Sequence, residues 1–364
     1  MQLEGFFDKA CNAINLHRAR HEDIAKRIIP LKMMSAPKSA EKVIERMEKA
    51  SLNFAVAGVD SGFVSKKLSF VDIVLVRTAG VLFDFEKNEI KKTTYYPSAF
   101  SLPEPLPLKL GLEKDEEAQS VSLERLKQEV STSIKMIEKF KPKYLFIDGS
   151  IVPQYQDKPR KDSVINEDYE SIIQLFQKLY STAENNSCTL IACVEDSRGT
   201  RFRQLLQDEI IPGSMLKVSP AELGNVFDAS ILDYFLSQGE RTFVFPYTSS
   251  IEAHAILKDY SSEWAKSIYV SYTKPSEMDK PLRIEFICKE GKSDPAKLAR
   301  CAKEISSVVY ALSSFHREYS YPSILIEADM RAGLNEQDIS VVYDKLVDKL
   351  GPKARMRRNS RPFK

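Results

Sequence analysis

The chain has 364 residues, with 53 lysines and arginines against 51 aspartates and glutamates, and a formal net charge of +2. This near-balance excludes a polycationic coat protein, although it leaves room for a basic groove or tail. Hydrophobic residues make up 43% of the sequence, enough for a substantial core in two domains or one elaborated domain. The 13 glycines are about half the usual share, which disfavours several glycine-rich phosphate loops.

The sequence contains no pattern typical of a membrane span or of a cysteine or histidine metal site. No apolar run approaches the ~18–20 residues that cross a bilayer, so we expect no membrane partner. The five cysteines are never spaced as C-x-x-C, which is typical of reduced thiols in a cytoplasmic protein. His17 and His21 are four residues apart, but they lie among charged residues and are interpreted as a solvated helix face.

The first part of the chain predicts two helices followed by an antiparallel meander. Helical spacing predicts a helix over 2–29 that Pro30 ends, and a charged segment predicts a second helix over 38–50. The apolar run NFAVAGVD at 53–60 predicts a strand, closed by a turn at Asp60-Ser61-Gly62. Further strands with short connections are predicted over 68–77, 80–85 and 90–96.

After a proline-rich loop, the pattern changes to alternating helices and strands. The predicted elements are a helix over 117–140, a strand over 143–148, a helix over 167–183 and a strand over 189–194. Three antiparallel strands followed by helix, strand, helix and strand form the element order of an RNase H-like core. We therefore predict an α/β fold, with a mixed sheet, flanking helices, and helical segments added at both ends. The remaining predicted elements are helices near 200–208, 219–237, 295–315 and 336–349, and strands over 242–245, 267–272 and 282–288.

Two aspartates, Asp60 and Asp148, each end an apolar run and precede small residues. Taken singly, each is an ordinary turn residue. In an RNase H-like sheet the first and fourth strands are neighbours, so the two carboxylates would face one another. Adjacent carboxylates repel unless they are protonated or bridged by cations, and hard divalent ions prefer oxygen ligands. The pair therefore predicts a divalent-metal site that could cleave phosphodiesters.

A site of this type also needs acidic residues from helices. The helix over 117–140 offers Glu124 and Glu129, which a helical wheel barely separates. Glu327 and Asp329 follow an apolar stretch after Pro322. Because residues two apart on a helix point in different directions, we expect at most one of this pair to reach the site.

Three separated motifs resemble those of the NurA nuclease family of archaea and some bacteria. They are AVAGVDSG at 55–62, Lys127-Gln128-Glu129 before YLFIDGSI at 144–151, and YPSILIEAD at 321–329. The resemblance implies a Mn²⁺-dependent deoxyribonuclease, with Mg²⁺ as an alternative and one or two ions per active site. By motif, the implied metal ligands and catalytic residues are Asp60, Glu129, Asp148 and Asp329, with Glu124 still open as the helix acid.

One departure concerns the third motif. The family often ends this motif with Ala-His, whereas this chain has Ala328-Asp329. An aspartate keeps an oxygen ligand for a hard cation but loses the histidine's role in proton transfer.

The resemblance also implies substrates, partners and a domain arrangement. It implies cleavage of single-stranded DNA by an endonuclease activity and of DNA ends with 5′→3′ polarity. Family members form homodimers and act with the hexameric HerA translocase in resecting double-strand breaks, which places the protein at the nucleoid, in the cytoplasm of a prokaryotic cell. The expected parts are an N-terminal helical segment over 1–52, a nuclease domain over 53–350 and a basic tail over 351–364.

Several residues are candidates for contact with DNA. Arg198, Arg201 and Arg203 follow the strand over 189–194, near the position where many family members have a lysine, and guanidinium groups suit phosphate. Tyr321 opens the third motif and is a further candidate for contact with DNA. The tail suits sequence-independent phosphate contact, because six basic residues and no acid stand there: Lys353, Arg355, Arg357, Arg358, Arg361 and Lys364.

Two other functions remain open from the sequence. An actin-like ATPase also has a first strand that runs into Asp and small residues, but the scarcity of glycine and the lack of a second phosphate loop disfavour it. A non-catalytic adaptor that binds DNA ends would keep the fold and the tail without cleaving. The acidic positions favour the nuclease over the adaptor.

Overall fold

The computed structural model of the chain describes residues 2–67, 72–107 and 111–350. Its helices are α1 (Gln2–Ile28), α2 (Lys114–Phe140), α3 (Asn166–Asn185), α4 (Arg201–Leu205), α5 (Asp228–Phe235), α6 (Ser262–Ala265), α7 (Pro295–Ser313), α8 (Ser323–Ala332) and α9 (Glu336–Leu350). Its strands are β1 (Ile44–Arg46), β2 (Ala55–Lys67), β3 (Asp72–Glu86), β4 (Glu89–Tyr96), β5 (Glu104–Pro107), β6 (Tyr144–Asp148), β7 (Thr189–Val194), β8 (Glu240–Thr242), β9 (Phe245–Pro246), β10 (Ile268–Lys274) and β11 (Leu282–Ile287).

The chain divides into two compact units. The core unit consists of the described residues of Leu52–Ile191, Ala253–Ser261 and Ser323–Lys364. The second unit consists of the described residues of Met1–Ser51, Ala192–Glu252 and Ser262–Pro322. Within the described ranges, no helix is both long enough and apolar enough to span a bilayer.

The sheet of the core unit has the strand order β7-β6-β2-β3-β4, and β5 pairs with the first half of β3. Strands β2, β3 and β4 pair antiparallel, whereas β2 and β6 pair parallel. Strand β2, the first of these strands in the chain, thus lies between β3 and β6, as predicted for an RNase H-like sheet. The α/β fold class, with a mixed sheet and flanking helices, is confirmed.

Helix α8 crosses β2 so closely that two positions of the strand require glycine. A Cβ atom added to Gly58 would lie 2.8 Å from Ile324 Cγ1, and one added to Gly62 would lie 2.5 Å from the Ala332 carbonyl oxygen. The turn predicted at Asp60-Ser61-Gly62 is therefore wrong. Strand β2 continues through it, with Ser61 opposite Thr78 and Gly62 opposite Arg77 of β3. Glycine stands here because a helix backbone approaches, not because the chain reverses.

The helix predicted over 38–50 is also wrong. Residues Ile44–Arg46 form β1, which pairs antiparallel with β8. Glu41 is buried, forms an ion pair with Arg241 and accepts a hydrogen bond from the Val244 N–H at 2.9 Å. These long-range partners outweigh the helix propensity of a segment rich in glutamate and lysine.

Smaller differences concern the bounds of strands and helices. The segments predicted as two strands at 68–77 and 80–85 belong to one strand, β3, although residues 68–71 lie outside the described residues. Part of the proline-rich loop forms the edge strand β5, where the missing N–H groups of Pro105 and Pro107 are tolerated. The helix predicted over 219–237 is limited to α5 and a 3₁₀ turn, and the strand predicted over 242–245 is divided between β8 and β9.

The second unit contains β1, β8, β9, β10 and β11 and an apolar core of its own. Its strand order is β1-β8-β10-β11, and β9 pairs with β10. The core combines residues of α1 with a cluster of aromatic rings, in which Phe202 lies 6.2 Å from Phe243 and 6.0 Å from Phe245 between ring centroids. The predicted helix over 2–29 is confirmed as α1, and its last turn packs Ile24 and Ile28 into this cluster. The basic tail lies outside the described residues.

Candidate active site

Asp60 and Asp148 lie side by side on neighbouring parallel strands of the core unit. Val59 pairs with Ile147 between β2 and β6, so the residue that follows each of them stands at the same level of the sheet. Asp148 ends β6, and the chain bends at Gly149, which has φ +83°. Asp60 is 4% exposed, within the continuous strand β2. The sheet register thus places a buried carboxylate next to one at a strand end.

Glu129 reaches this site from α2, on the other face of the strand. Its side chain is buried, and its Oε2 accepts a hydrogen bond of 2.7 Å from the hydroxyl of Ser61. Arg125 lies one helical turn earlier, with Nη1 3.5 Å from the same oxygen. Glu124 instead lies 3.5 Å from Lys127 Nζ in a half-exposed pair. Of the two helix candidates, the structure directs Glu129 to the site.

Glu327 and Asp329 both belong to α8, but their side chains have different surroundings. Glu327 accepts hydrogen bonds from the Tyr95 hydroxyl at 2.9 Å and from Arg331 Nε at 2.8 Å. Asp329 is exposed, and its charge acts on Asp60. The two acids point in different directions, as residues two apart on a helix should, and Asp329 is the one whose charge acts on Asp60.

The four carboxylates interact electrostatically. Burial raises the pKa of Asp60 to about 8, and the charges of Asp148, Glu129 and Asp329 act in the same direction. The N–H of Ser61 donates to Asp60 Oδ1 at 2.6 Å and lowers the pKa in part. Near neutral pH, Asp60 therefore holds a proton unless a cation replaces it.

The pKa of Glu129 is raised by some of its neighbours and lowered by others. Burial raises its pKa to about 7, and the charge of Asp148 adds to the rise. The Arg125 guanidinium and the Ser61 hydroxyl lower the pKa, because both stabilise the charged form. The site thus contains more negative charge than its own cationic neighbour offsets.

The chemistry of these donors fits a hard divalent cation. All four candidate ligands are carboxylates, which suit Mg²⁺ and Mn²⁺ better than soft metals. In the part of the chain that the structure describes, no three Asp, Glu, His or Cys side chains meet in a ready-made metal-binding group. A cation bound here would have to draw the carboxylates together.

The predicted DNA-binding arginines lie in the second unit, where Asp228 holds the start of α4. The carboxylate of Asp228 is buried and accepts the N–H groups of Phe202 at 3.0 Å and of Arg203 at 2.8 Å. Arg198 is exposed, whereas Arg201 and Arg203 are half-buried. Burial lowers the pKa of Arg201. Of the three guanidinium groups, that of Arg198 offers most surface to a phosphate.

Tyr321 lies inside the second unit rather than on its surface. It is 7% exposed, and its hydroxyl donates to the Cys193 carbonyl oxygen at 3.2 Å. Its ring therefore presents almost no area on which a base could stack.

Sequence reasoning missed Ser61 and Arg125. Ser61 was interpreted as a turn residue, although a serine that follows an acid within a strand points to the opposite face, towards α2. Arg125 stands four residues before Glu129, a spacing that places the two side chains on one side of a helix. Both spacings can be seen in the sequence. They indicate contact with Glu129 only once β2 is known to continue beyond Asp60.

Fold and site together define an RNase H-like α/β protein with a carboxylate cluster beside its central strand. The family model for the NurA domain matches residues 54–334, and the chain belongs to the NurA family. The resemblance drawn from the three motifs is thereby confirmed.

Solved structures of NurA proteins are similar to this chain. The crystal structure of the NurA nuclease from Sulfolobus solfataricus is 16% identical, with 96% of this chain and 95% of that chain covered and a TM-score of 0.58. A crystal structure of NurA with manganese is 10% identical, with coverage of 95% and 98% and a TM-score of 0.48. One of NurA bound to dAMP and manganese is 11% identical, with coverage of 97% and 98% and a TM-score of 0.43. A search of curated proteins found no match.

Proposed function

We propose that this chain is a metal-dependent DNA nuclease that hydrolyses phosphodiester bonds with one or two Mn²⁺ ions, or Mg²⁺, held by Asp60, Glu129, Asp148 and Asp329. The observation that carries the proposal is the position of buried Asp60 beside Asp148 on neighbouring strands, with Glu129 and Asp329 near enough for their charges to act on Asp60. Membership of the NurA family supports it, since a relative with the same fold is named a nuclease and another is named as a manganese-bound structure.

The residues of the site divide the work between holding charge and orienting it. A divalent cation, when bound, supplies an activated water and neutralises charge on the leaving oxygen. Asp60, within β2, and Asp148, at the end of β6, offer carboxylate oxygens side by side, and Asp60 gives up its proton to do so. Ser61 and Arg125 hold the Glu129 carboxylate in one orientation from two sides. None of the four candidate ligands, all within the described residues, is a histidine, and a metal-bound water needs no dedicated protein base.

We further propose how the nuclease meets DNA. It cleaves single-stranded DNA as an endonuclease and degrades DNA ends with 5′→3′ polarity, and the exposed guanidinium of Arg198 contacts phosphate. It works as a homodimer with a HerA-type hexameric translocase in the resection of double-strand breaks, at the nucleoid in the cytoplasm. The nuclease domain covers 53–350, between an N-terminal segment over 1–52 that begins with α1 and a basic tail over 351–364 that binds phosphate.

The test is a cleavage assay with the purified chain on labelled single-stranded DNA and on duplex ends. With Mn²⁺ we expect cleavage, with EDTA none, and with Mn²⁺ and Asp60→Asn none. A cooperative thermal transition at or above the temperature of the wild type would show that Asp60→Asn is folded. Intact DNA in the presence of Mn²⁺ and a HerA-type translocase would contradict the proposal.

The same assay tests the adaptor. The observation that favours an adaptor is that, among the described residues, no three potential ligands already form a metal-binding group. An adaptor would bind DNA ends with equal affinity in the wild type and in Asp60→Asn and would cleave in neither.

A further inference from the structure

An exposed loop of the core unit carries two large apolar side chains. Phe100 and Leu102 lie between β4 and β5 and are 87% and 89% exposed. Single exposed apolar residues are common on protein surfaces and need no explanation. Phe100 differs from its neighbour because its ring lies beside a fixed cation.

The cation is Arg331 of α8. Its guanidinium carbon lies 4.7 Å from the centroid of the Tyr95 ring and 5.5 Å from that of Phe100. Arg331 Nε donates to Glu327 Oε1 at 2.8 Å, and Nη2 donates to the Tyr95 hydroxyl at 3.3 Å. Glu327 and Tyr95 thus fix the guanidinium plane, and Phe100 packs on it with most of the ring in water.

This cluster lies near the carboxylate site on the same face of the sheet. Tyr95 stands opposite Val81 of β3, and Asp60 stands opposite Ala79 of the same strand. Tyr95 is therefore two strands, about 10 Å, from Asp60 across the sheet and two residues, about 7 Å, from it along the strands, which gives about 12 Å between the two backbones. Arg331 and Asp329 both belong to α8 and, being two residues apart, lie on different sides of the helix.

We propose that Phe100 and Arg331 form a stacking subsite for an unpaired nucleobase of DNA whose backbone lies at the carboxylate site, and this inference rests on the proposed function. An aromatic face beside a guanidinium binds any base, because every base has a π face. Bases within a duplex are already stacked on one another and do not reach such a ring. The subsite thus selects single strands by geometry rather than by sequence.

The test measures DNA binding without cleavage, in the Asp60→Asn background with Mn²⁺ present. The probes are fluorescent oligothymidylate, an abasic oligonucleotide of equal length and blunt duplex, followed by anisotropy. Phe100→Ala should weaken oligothymidylate binding about tenfold, the scale of one lost base stack, and should leave the abasic probe and the duplex nearly unaffected. Phe100→Trp should keep the affinity. Leu102→Ala is the matched control, since this residue is equally exposed on the same loop, and it should bind as the parent does.

Three outcomes would overturn the subsite: equal affinity of Phe100→Ala and its parent, an equal loss in Leu102→Ala, or an equal loss on the abasic probe. If the loop instead binds a protein partner or a second copy of the chain, Phe100→Ala would bind DNA as its parent does but would change the oligomeric state. Cleavage by the wild-type chain is measured in parallel. A chain that cleaves while Phe100→Ala binds like its parent refutes the subsite alone. A chain that does not cleave, but whose binding depends on Phe100, refutes the nuclease and keeps the subsite.

Discussion

The hydroxyl of Ser61 donates a hydrogen bond of 2.7 Å to Glu129 Oε2, and this bond joins the central strand of the core unit to α2. Ser61 directly follows Asp60 in β2, so consecutive residues of one strand serve two different carboxylates. Asp60 presents its own carboxylate on the face that α8 covers, and Ser61 orients a second carboxylate on the opposite face. The strand thereby couples two candidate metal ligands that are far apart in sequence.

Ser61→Ala should weaken Mn²⁺ binding and cleavage without unfolding the chain. A hydrogen bond to a buried carboxylate contributes about 1.5–3 kcal/mol, so we expect the half-saturating Mn²⁺ concentration to rise about tenfold or more. Ser61→Thr keeps the hydroxyl and should retain most of the affinity. Ser65→Ala, at an exposed position on the same side of β2, is the control. If Ser61→Ala titrates with Mn²⁺ as the wild type does, Ser61 does not position Glu129.

The two acids of α2 should behave differently. Glu129→Gln removes a buried carboxylate that interacts with Asp60, and we expect cleavage to fall on the order of a hundredfold, the effect of losing about 2.7 kcal/mol of transition-state stabilisation. Glu124→Gln changes only a half-exposed pair with Lys127 and should leave the rate nearly unchanged. Single-turnover rates at saturating Mn²⁺ make the comparison. The reverse ranking would show that the helix ligand is Glu124.

The two acids of α8, Glu327 and Asp329, should also behave differently, and here the difference should appear in Mn²⁺ binding. Asp329→Asn should weaken Mn²⁺ binding, because the charge of Asp329 acts on Asp60. Glu327→Gln should leave Mn²⁺ binding unchanged and weaken the hold on Arg331 and Tyr95. Calorimetric titration with Mn²⁺ distinguishes the two variants. Equal loss of Mn²⁺ affinity in both would mean that the whole turn of α8, and not Asp329 alone, forms the site.

The pKa of Asp60 predicts how stability depends on pH without metal. Its pKa is about 8 in the folded chain against the ordinary 3.8, so the folded state binds more protons between these values. Stability should therefore fall as pH rises from about 4 to about 8, by linkage. Asp60→Asn removes this contribution and should be more stable than the wild type at about pH 8, by a few kcal/mol. Denaturant unfolding in EDTA at several pH values measures the difference. A variant that is less stable than the wild type at high pH would contradict the raised pKa.

The sequence predicted the fold more reliably than the local structure around the site. Asp148-Gly149 and Asp60-Ser61-Gly62 carry the same signature of an acid before small residues. Only the first ends its strand, with a bend at Gly149 where φ is +83°, whereas Gly62 makes room for the Ala332 carbonyl. A turn and a close helix crossing both select glycine, and no local pattern distinguishes them.

The errors at other positions have a similar origin. The segment around Glu41 has the composition of a helix and pairs as a strand because Arg241 and Val244 provide long-range partners. The choice between Glu124 and Glu129 depended on which side of α2 packs on β2. The sequence does not determine how α2 and α8 cross the sheet. It therefore predicts which acids are candidates for the site, but not which of them come together there.

The most direct test of the carboxylate site is isothermal titration of the wild-type chain with Mn²⁺ at pH 7, in two buffers that differ in ionisation enthalpy. Asp60 holds a proton without metal because its pKa is about 8, so Mn²⁺ binding should release protons to the buffer. The apparent binding enthalpy should then differ between the buffers, and Asp60→Asn should abolish most of the proton release. Absence of Mn²⁺ binding, or binding with no proton release and no dependence on Asp60, would contradict a metal site at this cluster.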